Sequence, residues 1–412
     1  MRFNIGEVFI DKAIIGGVDI RSNITHLSFD ESLFVPGIRG VVEVVQSQGM
    51  ESLLGTNIGS APAVFSFRSE NGKKRTYVMT VSTTSGEPVV NQKTRKIVME
   101  LVSDHLLRSK GTNYQKSYAN APTQISNMVQ AIISDATSGL GFKGPINVSK
   151  TIGLSPMMLE SQSPLDALDK LRNYAVSATQ GDAFTLFSAI GASGVEEIFF
   201  KPMSEMLRGM TNVVITEKDF LEINHSFDPM GELFRNVIDY KTEGTSDSAN
   251  KGEAVYQANF FDILTGKYII NPIKDLMSQQ KSNPSANPGK NRNNDRNNLL
   301  SSTKGSSSRT FLKRNDQPDN QLDKTYGGGR SVLGADTSST THARIPGDSS
   351  INVGMCVYYQ KKENTQTIPN VDGMNAGKQL VAGVSHEIGP PNETPRYTTV
   401  LSMMNISPKG GF

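Results

Sequence analysis

The sequence predicts a mainly β fold with an α+β portion: two similar small antiparallel β-barrel domains, an α+β domain between them, and a long irregular insertion. Three observations predict it. One hairpin pattern is written twice, the hydrophobic period changes from two to 3.6 after residue 107, and residues 276–350 place only 14 apolar residues in 75 positions. The repeated hairpin is Tyr77–Ser82 with Lys96–Leu101, and again Leu380–Ser385 with Tyr397–Ser402. Duplication, with no gathering of the residue types used for catalysis, points to architecture rather than turnover.

A chain of 412 residues has length for two to four domains, each able to bury a core. The first, 1–107, reads as β: Phe65 and Phe67 alternate with Ser66 and Arg68, and Tyr77, Met79 and Val81 with Thr80 and Ser82. Period-two alternation between Gly, Pro, Asn and Ser clusters marks half-buried antiparallel strands. The α+β domain, 108–205, opens with Ile125, Met128, Val129, Ile132 and Ile133 on one helix face. A second helix starts at Ser163-Pro164-Leu165-Asp166, a capping box with proline at the first helical position. Short strands follow at 184–187 and 197–200.

The second β domain is discontinuous, 206–245 and 341–406. Its strands are expected at 222–227, 235–240, 341–345 and 351–359 and in the closing hairpin of 379–404. Residues 246–340 form the insertion, an extended polar arm. Residues 276–350 carry 11 Lys and Arg against 6 Asp, a local charge of +5. The run Lys281–Arg296 cannot offset its ordering entropy by burial, so the expectation is an arm ordered along a neighbouring subunit.

Overall charge is +2, from 42 basic and 40 acidic residues, which argues for neither a nucleic-acid nor a membrane-surface binder. The single cysteine, Cys356, allows no disulfide within the chain and no cysteine-based metal site, and suits a reducing cytoplasm. Met1–Glu7 lacks a signal-peptide pattern, and no run approaches the eighteen or so apolar residues of a membrane helix.

No motif carries chemistry convincingly. Gly139-Leu-Gly-Phe-Lys-Gly144 has dinucleotide-loop spacing, but that site needs a strand before it and a helix N-terminus after it. Here a helix precedes and Pro145 follows, so a helix C-cap and turn are expected. His26, His105, His225, His342 and His386 show no metal-ligand spacing. A Cys356, His386 and acid arrangement is conceivable, yet strand alternation around both favours buried structural roles. Glu196 and Glu197 adjoin in a strand and point to opposite faces. The expectation is no catalytic, cofactor-binding or metal site, no cofactor and no enzymatic activity.

Several segments together resemble the central baseplate hub protein of contractile-tailed bacteriophages, a family related to the base of type VI secretion spike proteins. They are Phe34–Val44, Lys116–Ile125, Ser163–Leu171, Asp182–Phe187, Ile345–Gly354, Gln379–Ile388 and Tyr397–Ser402, in the family's order. The resemblance leaves out 276–340. It implies two tail-tube-like barrels per chain and a homotrimer that imitates a six-membered ring. Such a trimer joins a sixfold tail tube to a threefold central spike and lines the channel for genome passage. Implied partners are other copies of the chain, a tail tube or distal tube protein, the central spike and the tape-measure protein. Baseplate wedge or neighbouring subunits would meet the 276–340 arm. No sequence-specific nucleic-acid binding and no membrane insertion are implied. The implied location is the virion tail baseplate, assembled in the host bacterial cytoplasm. The alternatives are a tail-associated cell-wall hydrolase and the hub of a cellular contractile injection system.

Overall fold

The computed structural model describes residues 6–46, 60–69, 72–88, 95–175, 177, 184–207, 213–216, 233–244, 257–262, 268–272, 308–313, 339–360 and 377–405. The expected strand at 222–227 and the run Lys281–Arg296 lie outside them.

The N-terminal region contributes β1 (Val8–Ile15), β2 (Val18–Asp19), β3 (Ile24–Ser32), β4 (Val35–Gln46), β5 (Pro62–Ser69), β6 (Arg75–Pro88) and β7 (Arg95–Val102). Their neighbour order is β3-β4-β7-β6-β5-β1, all antiparallel. Alternation does what it predicts: Phe65, Phe67, Tyr77, Met79 and Val81 point into one core with Leu27, Phe29, Met99 and Leu101.

The middle region contains α1 (Asp104–Gly111), β8 (Tyr114–Ser117), α2 (Ile125–Ser134), β9 (Ile146–Val148), β10 (Met158–Gln162), α3 (Pro164–Tyr174), β11 (Phe184–Ile190), β12 (Glu196–Pro202) and the short α4 (Met203–Leu207). The α2 stripe Ile125, Met128, Val129, Ile132 and Ile133 is buried against Leu168 and Leu171 of α3. Ser163 Oγ accepts from the Asp166 amide at 3.2 Å. The Asp166 carboxylate takes the Ser163 hydroxyl at 2.7 Å, so the cap closes through side chains. All seven residues of β11 are buried. Phe184 and Leu186 enter the α+β core, Phe187 and Ala189 the C-terminal β core, and Ile190 the N-terminal one. One strand therefore stitches three cores together.

The C-terminal region has β13 (Val213–Thr216), β14 (Leu233–Asn236) and β15 (Asp239–Gly244), then β16 (Gln257–Asp262), β17 (Tyr268–Pro272) and β18 (Ser308–Lys313), then β19 (Ser339–Pro346), β20 (Cys356–Gln360), β21 (Gly377–Ile388) and β22 (Tyr397–Asn405). Its neighbour order is β13-β20-β21-β22-β19-β15. Taken in chain order, this is the permutation of the N-terminal strands: β13, β15, β19, β20, β21 and β22 occupy the places of β1, β3, β4, β5, β6 and β7. One pair differs, since β13 runs parallel to β20 whereas β1 runs antiparallel to β5. Only Val237 and Ile238 separate β14, which pairs with β13, from β15, which pairs with β19.

Three expectations change. The two β regions are not separate in their strand pairing: Gly383–Ile388 of β21 pairs with Leu27–Ser32 of β3, merging everything into one 14-stranded sheet. Among the described residues no pair joins β1 to β3, because the outer edge of β3 is taken by β21. The insertion is not wholly irregular either, since β17, β16 and β18 form a three-stranded sheet. The apolar runs Phe260-Phe261, Tyr268–Ile270 and Phe311-Leu312 supply its β propensity. Lastly, 351–355 is turn rather than strand, because Gly354 takes φ +81° and the carbonyls before it face a buried arginine.

Candidate functional site

Among the described residues, a fully buried ion pair lies where the two β regions meet. Arg75 on β6 and Glu31 on β3 form an ion pair whose side chains are 1% and 0% exposed. Both positions share the inward parity of their strands, Arg75 with Tyr77 and Met79, Glu31 with Leu27 and Phe29. The Arg75 guanidinium donates Nε to the Tyr77 hydroxyl at 2.8 Å and Nη2 to Glu31. Its Nη1 reaches the carbonyls of Ser349 and Ile351, both at 3.1 Å, and Asn352 Oδ1 at 2.6 Å. One N-terminal side chain thus organises a turn of the C-terminal region. The rigid fork of arginine, with five donors, suits that task as lysine would not.

Ser69 and Ser349 reinforce the junction, their hydroxyls 3.0 Å apart and each accepting the other's amide. Tyr397 stands beside them: its hydroxyl meets His386 Nδ1 at 2.7 Å, its ring packs edge-on to Phe67, and its amide donates to Gly6 O at 3.1 Å. A Cβ at Gly347 would lie 2.0 Å from the Tyr397 ring, so only glycine admits this approach. Burial, aided by the Arg75 charge, holds His386 well below the ordinary histidine range, and it is neutral.

A second junction ties the N-terminal region to β12. Both carboxylate oxygens of Glu196 lie 3.0 Å from Ser103 Oγ, which also accepts the Ile38 amide at 3.0 Å. Burial pushes the Glu196 carboxyl up to about 7, with the Ser103 hydroxyl pulling the other way. His105 Nε2 sits 2.7 Å from Pro36 O and 3.8 Å from Glu196 Oε1. A ring nitrogen facing a carbonyl carries the proton, so His105 Nε2 has no lone pair to activate the Ser103 hydroxyl. Ser103 is fully buried, and its bonds to Glu196 and Ile38 tie β12 to the N-terminal region.

The other sequence candidates fall apart spatially. The buried Cys356 thiol donates to Met206 O at 3.3 Å, while His386 engages Tyr397. His342 meets Ser402 Oγ at 2.9 Å, His26 lies half-buried on β3, and His225 is outside the described residues. Glu197 turns away from Glu196 toward Ser193 Oγ, 2.9 Å away. Gly139–Gly144 follows α2 as a turn, with Leu140 and Phe142 amides returning to Ile132 and Ile133 carbonyls. Among the described residues no three His, Cys, Asp or Glu gather as metal ligands, and no helix is long and apolar enough to cross a membrane. Arg75 and Glu31 were missed in the sequence as site residues, although strand parity marks both as inward.

This arrangement of sheet and helices has solved counterparts. A tail protein from Neisseria meningitidis MC58 matches with a TM-score of 0.55, 8% identity, and 97% of this chain and 96% of that one covered. The 43 kDa tail protein of prophage MuSo2 from Shewanella oneidensis matches at 0.54, with 10% identity over 97% and 98%. The fold is that of phage tail proteins. It is shared with the E. coli c3393 protein, a type VI secretion component described as similar to the T4 tail proteins gp27 and gp5, at 0.51 and 9% identity over 98% and 78%. No family model matches the sequence, and no curated protein matches it.

Proposed function

We propose that this chain is a non-enzymatic structural hub of a contractile tail, three copies forming a ring of six β units that adapts a sixfold tube to a threefold spike and surrounds the channel. The two β regions act as look-alike small barrels within residues 1–107 and within 206–245 and 341–406. The α+β region, 108–205, braces them through β11.

The observation that carries this reading is the depth of the internal repeat. The left-handed residue Ser60 (φ +74°) precedes β5 as Gly354 (φ +81°) precedes β20. Ser60 N donates to Val81 O at 2.9 Å, and Gly354 N to Val381 O at 2.8 Å. Val81 N returns to Ala61 O at 3.0 Å, and Val381 N to Met355 O at 2.9 Å. Each long strand then bulges at once, between Val81 and Thr83 and between Val381 and Gly383. Two units alike at the level of bulges and hydrogen bonds can occupy equivalent places in a ring, which is how threefold subunits meet a sixfold neighbour. The two buried junctions hold their spacing rigid. A tail tube protein, a spike and a tape-measure protein are the partners this role requires, with the virion tail as its place. The likeness to a type VI component supports a cellular injection system as the second setting.

Native mass spectrometry and negative-stain microscopy of the purified chain test the reading. A trimer with six-lobed rings is expected; a monomer at high concentration, or rings of another multiplicity, overturns it.

A further inference from the structure

We infer that, on the ring reading above, protomers join edge to edge by pairing Thr83–Pro88 of β6 with β15 of the next copy, in a register set by the joint inside each chain. Within the chain, the proximal residues of β21 pair with β20, and on the same side its distal residues Gly383–Ile388 pair with β3. β6 has the same build. Arg75–Thr80 side with β5, the bulge follows, and among the described residues Thr83–Pro88 has no partner on that side. Likewise β15 pairs with β19 on one side and, among the described residues, with nothing on the other. Unpaired edges of this kind are templates for another strand, and here each is the repeat counterpart of an edge that is already paired.

The register follows from chains of opposed residues. Val81 opposes Leu101, Leu101 opposes Gly40, and Gly40 opposes Phe29. In the repeat, Val381 opposes Met403, Met403 opposes Thr341, and Thr341 opposes Thr242. Thr242 therefore stands where Phe29 stands. Inside the chain Ser385, His386 and Glu387 oppose Asp30, Phe29 and Ser28. Between chains, Ser85, Gly86 and Glu87 then oppose Glu243, Thr242 and Lys241. The Glu87 and Lys241 positions carry opposite charge, as cross-strand neighbours prefer. Val384, at the paired edge, is buried, whereas its counterpart Thr84 is exposed, as are Thr83 and Ser85.

The test is oxidation of the full chain carrying Ser85→Cys and Glu243→Cys, read on non-reducing gels beside native mass spectrometry. A covalent trimer is expected from this pair, with none from either single variant and none from Ser85→Cys with Asp239→Cys, four residues out of register. Glu87→Lys should lower the trimer fraction, and Lys241→Glu added to it should restore the trimer. A trimer by mass that yields no cross-link, or that cross-links equally well out of register, overturns the joint and leaves the ring standing. Absence of any trimer from the unsubstituted chain overturns the ring reading and the joint with it.

Discussion

Replacing Arg75 by Met removes a cation from a fully buried pair and leaves the Glu31 carboxylate, among the described residues, with the Tyr77 hydroxyl at 3.3 Å. It also strips donors from the carbonyls of Ser349 and Ile351 and from Asn352. Breaking a buried pair by removing one partner costs roughly 3–5 kcal/mol, a large share of the about 5–15 kcal/mol that holds a domain folded. Much of that cost is the orphaned charge rather than the lost attraction. Adding Glu31→Leu to Arg75→Met should therefore recover stability, with a coupling energy of about 2–3 kcal/mol. Urea unfolding of the two single variants, the double variant and the parent supplies the cycle. An Arg75→Met variant within about 1 kcal/mol of the parent, set against the about 3 kcal/mol minimum expected for a buried pair, refutes the argument. So does a double variant whose loss equals the sum of the singles.

Glu196 is less acidic folded, at about 7, than its ordinary 4.5. Its contribution to stability is thus complete below about pH 4.5 and is lost as pH rises through 7. Glu196→Gln should unfold at higher denaturant than the parent at pH 8 and show no gain at pH 4; parallel pH profiles for the two would contradict the assigned burial. At the repeated turn, Ser60→Gly should stabilise by up to about 1 kcal/mol by relieving a left-handed serine. Gly354→Ala should destabilise by about 1–2 kcal/mol or more, its Cβ meeting Phe187 at 2.8 Å. Thermal melts showing both substitutions neutral would remove the claimed equivalence. Ser163→Ala should cost about 1 kcal/mol as α3 loses its N-cap, seen as a lower melting temperature; an unchanged value would mean the cap bond contributes nothing.

Both hairpins, the α2 stripe and the α3 cap were legible in the sequence because each depends on residues near one another in the chain. Alternation in Tyr77–Val81 needs only a strand with one face covered, and Ser163-Pro164 needs only the first turn of its own helix. The insertion's small sheet was not legible, since β18 joins β16 with Gln257 opposite Ser308 and Asp262 opposite Lys313, far apart in a stretch whose average composition hides three short apolar runs. The turn at 351–355 was misread because Ile351, Val353 and Met355 alternate as a strand would, while Gly354 and the Arg75 bonds pull the backbone aside.

Alone, the sequence determined that two stretches of this chain form the same kind of hairpin and that helices lie between them, because period and propensity act over a few residues. Only the tertiary structure decided that the two sheets become one through β3 and β21, that β11 serves three cores, and that Arg75 reaches a turn some 275 residues away. Those outcomes depend on which edges are left unpaired and which buried charges must find partners. They are set by the assembled chain and by no local segment of it.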